Sequence, residues 1–67
     1  FENTIAVSLQ KEILQLPEKQ RIIFNLRYYD NLPYEEIAKI ANCSSESAKA
    51  NYCHAKNRIL NKIKGIL

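Results

Sequence analysis

Apolar residues recur every three or four positions over most of this chain, a spacing that predicts helices. Ile5, Leu9, Ile13 and Leu16 form one stripe, so a first helix is expected over about residues 3–15, with Asn3 or Thr4 as its cap. Pro17 then breaks and restarts the chain. It suits a first helical position, where its missing N–H is no loss, and Glu18 beside it favours the helix dipole. A second helix is expected over 18–29, with Ile22, Ile23, Leu26 and Tyr29 as its apolar positions and an Asp30-Asn31 turn after it. A short third helix over 34–41 places Ile37, Ala38 and Ala41 on one face.

Asn42 marks the next boundary. After glycine, Asn is the residue that best tolerates the positive φ with which many helices end. Ser44 or Ser45 then supplies an N-cap for a fourth helix over 45–64, with Gly65 as its stop. The inner face of that helix is expected to be Ala48, Tyr52, Ala55 and Ile59. The opposite face carries Ser45, Glu46, Lys49, Ala50, Cys53, Lys56 and Asn57. The chain therefore reads as an all-α, four-helix compact domain. Its third and fourth helices form a helix-turn-helix, with small Ala38 where the two cross.

Composition supports that picture. A chain of 67 residues is one domain, and it buries only about 60% of its unfolded surface, so it must pack tightly. One glycine and two prolines leave little material for long loops. No apolar run approaches the roughly 20 residues of a membrane span, and no signal-peptide pattern appears, so no membrane partner is expected. The sequence contains no methionine, and residues 1–67 are expected to be a domain excised from a longer chain. Two cysteines are too few for a disulfide framework and suit reduced thiols in the cytoplasm.

Charge is uneven. Residues 1–43 carry a net charge of −1, whereas residues 44–67 carry +4, from Lys49, Lys56, Arg58, Lys62 and Lys64 against Glu46. A basic last helix suggests a polyanion as partner.

Catalysis and metal binding find no support in the residues. Cys43 follows the left-handed position, where a small apolar side chain plugs the corner between two helices. Cys53 and His54 are adjacent on a helix and point about 100° apart, and the chain has no second histidine. A structural zinc needs about four ligands, so no metal or cofactor is expected. A Cys–His nucleophile would need a shared face and an orienting third group. A single glycine cannot build a phosphate-cradling loop, and Glu35-Glu36 is ordinary helix-start chemistry. The chain is not expected to be an enzyme.

DNA is the positive reading. The N-terminal residues of the second helix of a helix-turn-helix meet base edges in the major groove. Here those candidates are Ser45, Glu46, Lys49, Ala50 and Cys53. Lysine can donate to guanine, glutamate can accept from cytosine, and alanine can touch a thymine methyl. Arg27, Tyr34, Lys39, His54, Lys56 and Arg58 are the candidates for phosphate contact, which sets register rather than specificity.

The run LPEKQRIIFNLRYYDNLPYEEIAKIANCSSESAK (residues 16–49), followed by NYCHAKNRI (residues 51–59), resembles the C-terminal domain, region four, of bacterial sigma factors, in particular the extracytoplasmic-function type. The family pattern is roughly L-P-x-x-x-R-x-x-F-x-L-R-x, then L-[ST]-Y-x-E-I-A-x-x-L-G-[IC]-S-x-x-[TS]-V-[KR]-x-[RN]-x-x-R-A. Leu16, Pro17, Arg21, Phe24, Leu26, Arg27, Leu32, Tyr34, Glu36, Ile37, Ala38, Ser44, Ser47, Lys49 and Ala55 match it. The departures are Pro33 in place of a Ser or Thr cap, Asn42 in place of the turn glycine, and Ala48 in place of valine. Asn51 and His54 stand where arginines are common. The resemblance implies recognition of the promoter −35 element by the fourth helix. It also implies docking on the β-subunit flap of RNA polymerase core through apolar surface on the first two helices and the end of the last. Many members of the family are held inactive by an anti-sigma factor.

Two other readings share these features. One is the helix-turn-helix output domain of a response regulator, which also has an "EIA" helix and dimerises through its last helix. The other is a protein-only adaptor that binds polymerase without DNA, for which the missing arginines at positions 51 and 54 argue.

Overall fold

The computed structural model describes the backbone of residues 4–64 and the side chains of residues 6–64. The order is α1 (Thr4–Leu14), α2 (Glu18–Tyr28), α3 (Tyr34–Ala41) and α4 (Ser45–Lys64), with no strand among the described residues. The expected caps at Asn3 and Thr4, the side chain of Ile5 and the stop at Gly65 lie outside the described residues. α1 and α2 each end one residue before the expected boundary. Gln15 and Leu16 close α1 with short-range bonds to the carbonyls of Glu12 and Ile13, and Tyr29 caps α2 through the Asn25 carbonyl.

α4 is the spine. Twenty residues make a helix about 30 Å long, and the molecule measures 37 × 19 × 17 Å. α4 packs against each of the other three helices, whereas α1 and α3 do not meet. Two apolar clusters sit along it. One joins Ile13 of α1, Leu16 just after it, Phe24 of α2, and Ala55, Ile59 and Ile63 of α4. The other joins Ile23 of α2, Ile37 and Ala38 of α3, and Ala48 of α4, with Cys43 packed against it from the turn. Tyr52 touches both clusters. No polar or charged side chain among the described residues is buried.

The inward faces of α3 and α4 are those the spacing predicts, and α2 is turned differently. Ile23 is buried as expected, but Ile22 is 39% exposed and Tyr29 is 54% exposed, while Phe24 is buried at 2%. The stripe Ile22–Leu26–Tyr29 has helical spacing, yet the face that meets α4 lies about 100° round the helix, one residue further on. Phe24 stacks between Tyr28 (ring centroids 5.2 Å apart) and Tyr52 (5.4 Å). That aromatic packing fixes the roll of α2.

Candidate nucleic-acid interface

The turn between α3 and α4 positions the site. Asn42 adopts the left-handed conformation, φ 58° and ψ 54°. The N–H groups of Asn42 and Cys43 both donate to the Ala38 carbonyl, Cys43 at 3.0 Å, which satisfies the carbonyl end of α3. Cys43 then packs, half-buried, against the cluster of Ile23, Ile37, Ala38 and Ala48. Ser44, not Ser45, is the N-cap of α4. Its Oγ accepts the Ser47 N–H at 3.0 Å, and its carbonyl accepts the Ala48 N–H at 2.9 Å. Buried Ala38 and Ala48 are small, which lets α3 and α4 approach closely. α3 itself starts at Pro33 without a side-chain cap, and Glu35 and Glu36 in its first turn favour the dipole.

The outward face of α4 follows. Glu46, Ala50, Cys53 and Asn57 are all exposed and spaced i, i+4, i+7, i+11, so they form one stripe directed away from the core. Exposed Lys49 and Lys56 flank it on one side, and exposed His54 and Arg58 flank it on the other. A central stripe between two rows of basic side chains suits a helix inserted between two phosphate backbones. Ser45 is half-buried at the first turn beside its cap, at the edge of this stripe.

The other sequence candidates lie elsewhere. Lys39 is exposed on α3 and forms an ion pair with Glu36 at 3.8 Å, a solvent-screened i,i+3 contact of little energetic weight. Tyr34 is half-buried at the start of α3. Arg27 is half-buried on α2, where its Nη1 donates to the Leu32 carbonyl at 3.0 Å and its guanidinium lies 4.8 Å from the centre of the Tyr34 ring. Asn51 does not face outward: its amide nitrogen donates to the Ser47 carbonyl at 2.9 Å and to the Ser47 Oγ at 3.3 Å. Its side chain is thus engaged on its own helix.

Among the described residues one titratable group is shifted from its ordinary value. The Tyr52 hydroxyl is held above its ordinary pKa of 10.0, mainly by burial and then by neighbouring Tyr34, with partial relief from Arg27. Cys43 and Cys53 are free thiols. Among the described residues no group of three or more His, Cys, Asp or Glu is placed to hold a metal, and no helix is long and apolar enough to cross a membrane.

Sequence reasoning missed, in its detail, an apolar groove that shares Lys56 with the outward face of α4. A groove of about 280 Å³ between α1, α2 and α4 is lined by Leu9, Phe24, Tyr28, Tyr52, Lys56, Ile59, Leu60 and Ile63. Leu60, at the i+4 position after Lys56, was the available signal, because it is apolar on a solvent face.

Residues 6–59 match the family model described as sigma-70, region 4. The chain belongs to this family of sigma-factor domains. Over 57 residues it is 35% identical to the ECF RNA polymerase sigma-E factor of Escherichia coli (strain K12), and the same figure holds for the proteins of that name from Salmonella typhi and Shigella flexneri. The aligned segment is 85% of this chain and 30% of each relative, so the chain spans about a third of the length of the curated relatives it matches. In a region 4 domain, the turn at Asn42 and the face of α4 become the parts to which a function must be assigned.

Proposed function

We propose that this domain reads the −35 element of promoters through the exposed face of α4 and docks on RNA polymerase core through the groove between α1, α2 and α4. The observation that carries the DNA part is the outward stripe Glu46–Ala50–Cys53–Asn57 on a capped helix, flanked by Lys49, Lys56, His54 and Arg58. Lys49 and Glu46 supply a donor and an acceptor for base edges, and Ala50 an apolar contact for a thymine methyl. Ser45 and Cys53 complete the base-facing set. Lys56, Arg58, His54 and Lys39 would hold phosphates and set the register.

The groove supports the docking part. Its apolar lining, with Leu60 exposed on its wall, suits an apolar partner segment such as the β-subunit flap. An anti-sigma factor is a further candidate partner. The domain works in the cytoplasm, without catalysis or cofactor.

Binding to a randomised duplex library, at low and moderate salt and with or without the isolated flap, tests this reading. Enrichment of a short non-palindromic motif, strengthened by the flap, is expected. Lys49→Ala should weaken binding to the selected site by roughly 1–3 kcal/mol. A palindromic motif with dimerisation would replace the reading with that of a response-regulator output domain. Flap binding with no DNA enrichment would leave a protein-only adaptor.

A further inference from the structure

Arg27 is a sequence candidate for phosphate contact, yet its geometry is that of a residue already in use. Two contacts engage its guanidinium, and two ring contacts extend them. Its Nη1 donates to the Leu32 carbonyl at 3.0 Å, five residues ahead, within the turn between α2 and α3. Its guanidinium sits 4.8 Å from the centre of the Tyr34 ring, inside cation–π range. The Tyr34 ring in turn lies 6.3 Å from the Tyr52 ring on α4. Tyr52 stacks back on Phe24 of α2, the helix that carries Arg27. The contacts therefore close a circuit from α2 to the turn, to α3, to α4 and back.

The turn inside that circuit needs holding. Asn31 has a positive φ of 54°, which a non-glycine residue adopts at some cost. The Leu32 N–H donates to the Leu26 carbonyl at 3.1 Å, and the Leu32 carbonyl accepts from Arg27. Both backbone groups of Leu32 are thus tied to α2. Tyr34, two residues on, begins α3, so its ring position follows from that anchoring.

We propose that Arg27 is a positioning residue for the recognition helix: by pinning Leu32 and stacking on Tyr34 it sets where Tyr52, and with it α4, sits against α2. The proposal rests on the DNA reading above for its consequence, but not for its geometry. A planar guanidinium is what the role requires, because it can stack on a ring while one N–H meets a carbonyl. A lysine ammonium is a point charge and does not reproduce both contacts.

The test uses the chain with Arg27→Lys, Arg27→Gln and Tyr34→Phe. Two quantities are measured: NMR contacts between the rings at positions 34 and 52, and duplex affinity against salt for the selected site and for an unrelated duplex. Arg27→Lys and Arg27→Gln should both lose the ring contact. Both should also narrow the ratio of specific to non-specific affinity roughly 10-fold, with the salt slope unchanged. Tyr34→Phe keeps the ring and should behave as the unsubstituted chain. A phosphate ligand behaves otherwise: Arg27→Gln would then lower the log–log salt slope by about 0.9, Arg27→Lys would restore it, and the ring contact would persist. That result overturns the proposal. Should Arg27→Gln fail to fold, Arg27→Lys carries the comparison alone. A chain that binds no duplex at all would sink the DNA reading, and the ring contact in Arg27→Lys would still decide the positioning role: its loss supports the role and its survival refutes it.

Discussion

The two ends of α4 are held in different ways. At its start, Ala48 packs with Ala38, Ile37 and Ile23, and much of the fixing is done by backbone devices: the left-handed Asn42, the Ser44 cap and the paired bonds to the Ala38 carbonyl. At its far end, Ala55, Ile59 and Ile63 meet Ile13, Leu16 and Phe24, and large side chains do the fixing. The first end presents a polar stripe with no apolar surplus except small Ala50 and Cys53. The second leaves a groove and an exposed Leu60. On the function proposed above, the difference separates two tasks. An element that must enter a groove of DNA is set by geometry at its own terminus. An element that receives a protein partner is set by bulk and keeps apolar surface uncovered.

Phe24→Ala is the strongest way to break this division. Phe24 belongs to the far cluster but stacks on Tyr52, which touches both. Removing a buried phenyl ring costs about 3–5 kcal/mol, against a total of roughly 3–10 kcal/mol for a chain of this size at 0.05–0.15 kcal/mol per residue. Far-ultraviolet circular dichroism at 25 °C should show a largely unfolded chain. Survival of the helix-turn-helix end, with protected amides in α3, would instead mean that the two clusters are independent units.

Ser44→Ala acts on one end only. Loss of the cap costs about 1 kcal/mol, which lowers Tm by about 4–8 °C in a domain of this size. Ser44→Gly should lose only a few tenths of that energy, because glycine is itself an acceptable cap residue. Equal losses for the two variants would show that the Oγ bond to Ser47 is not what holds this terminus.

The start of α4 was legible because its signals are local. Asn42 and the serines announce the turn by their own backbone preferences, and the outward stripe follows from spacing alone. α2 was not legible in the same way. Ile22, Ile23, Phe24, Leu26, Tyr28 and Tyr29 surround the helix on nearly every side, so spacing permits several inward faces. Which one is buried depends on packing against α4, including the ring of Tyr52, which is distant in sequence. Arg27 and Asn51 show the same limit at the site. Their engagement with Leu32, Tyr34 and Ser47 depends on tertiary placement and rotamer, and neither is written in a motif.

Tyr52, which joins the two clusters, provides a smaller effect. Burial, with Tyr34 next, raises its pKa above 10.0, and Arg27 opposes the rise. The folded value lies above the unfolded one, so the folded chain retains a proton that the unfolded chain has lost at high pH. The stabilisation from this group is complete below pH 10 and is lost as pH rises through the raised value. Urea denaturation between pH 8 and 11 should therefore show a loss at the alkaline end that shrinks in Tyr52→Phe. An identical pH dependence in the two proteins would place the titration elsewhere.

Leu60→Ser is expected to change stability least. Leu60 is 48% exposed, and a substitution at such a surface position falls within about ±0.5 kcal/mol. It lies on the groove wall beside Lys56, however, so it should be costly where stability is not. Affinity for the polymerase flap should fall while duplex binding through Lys49 stays the same. If flap affinity is unaffected, the apolar surface at the far end of α4 serves another partner. If duplex binding falls instead, the far end also shapes the DNA-facing end, and the two tasks are not separately held.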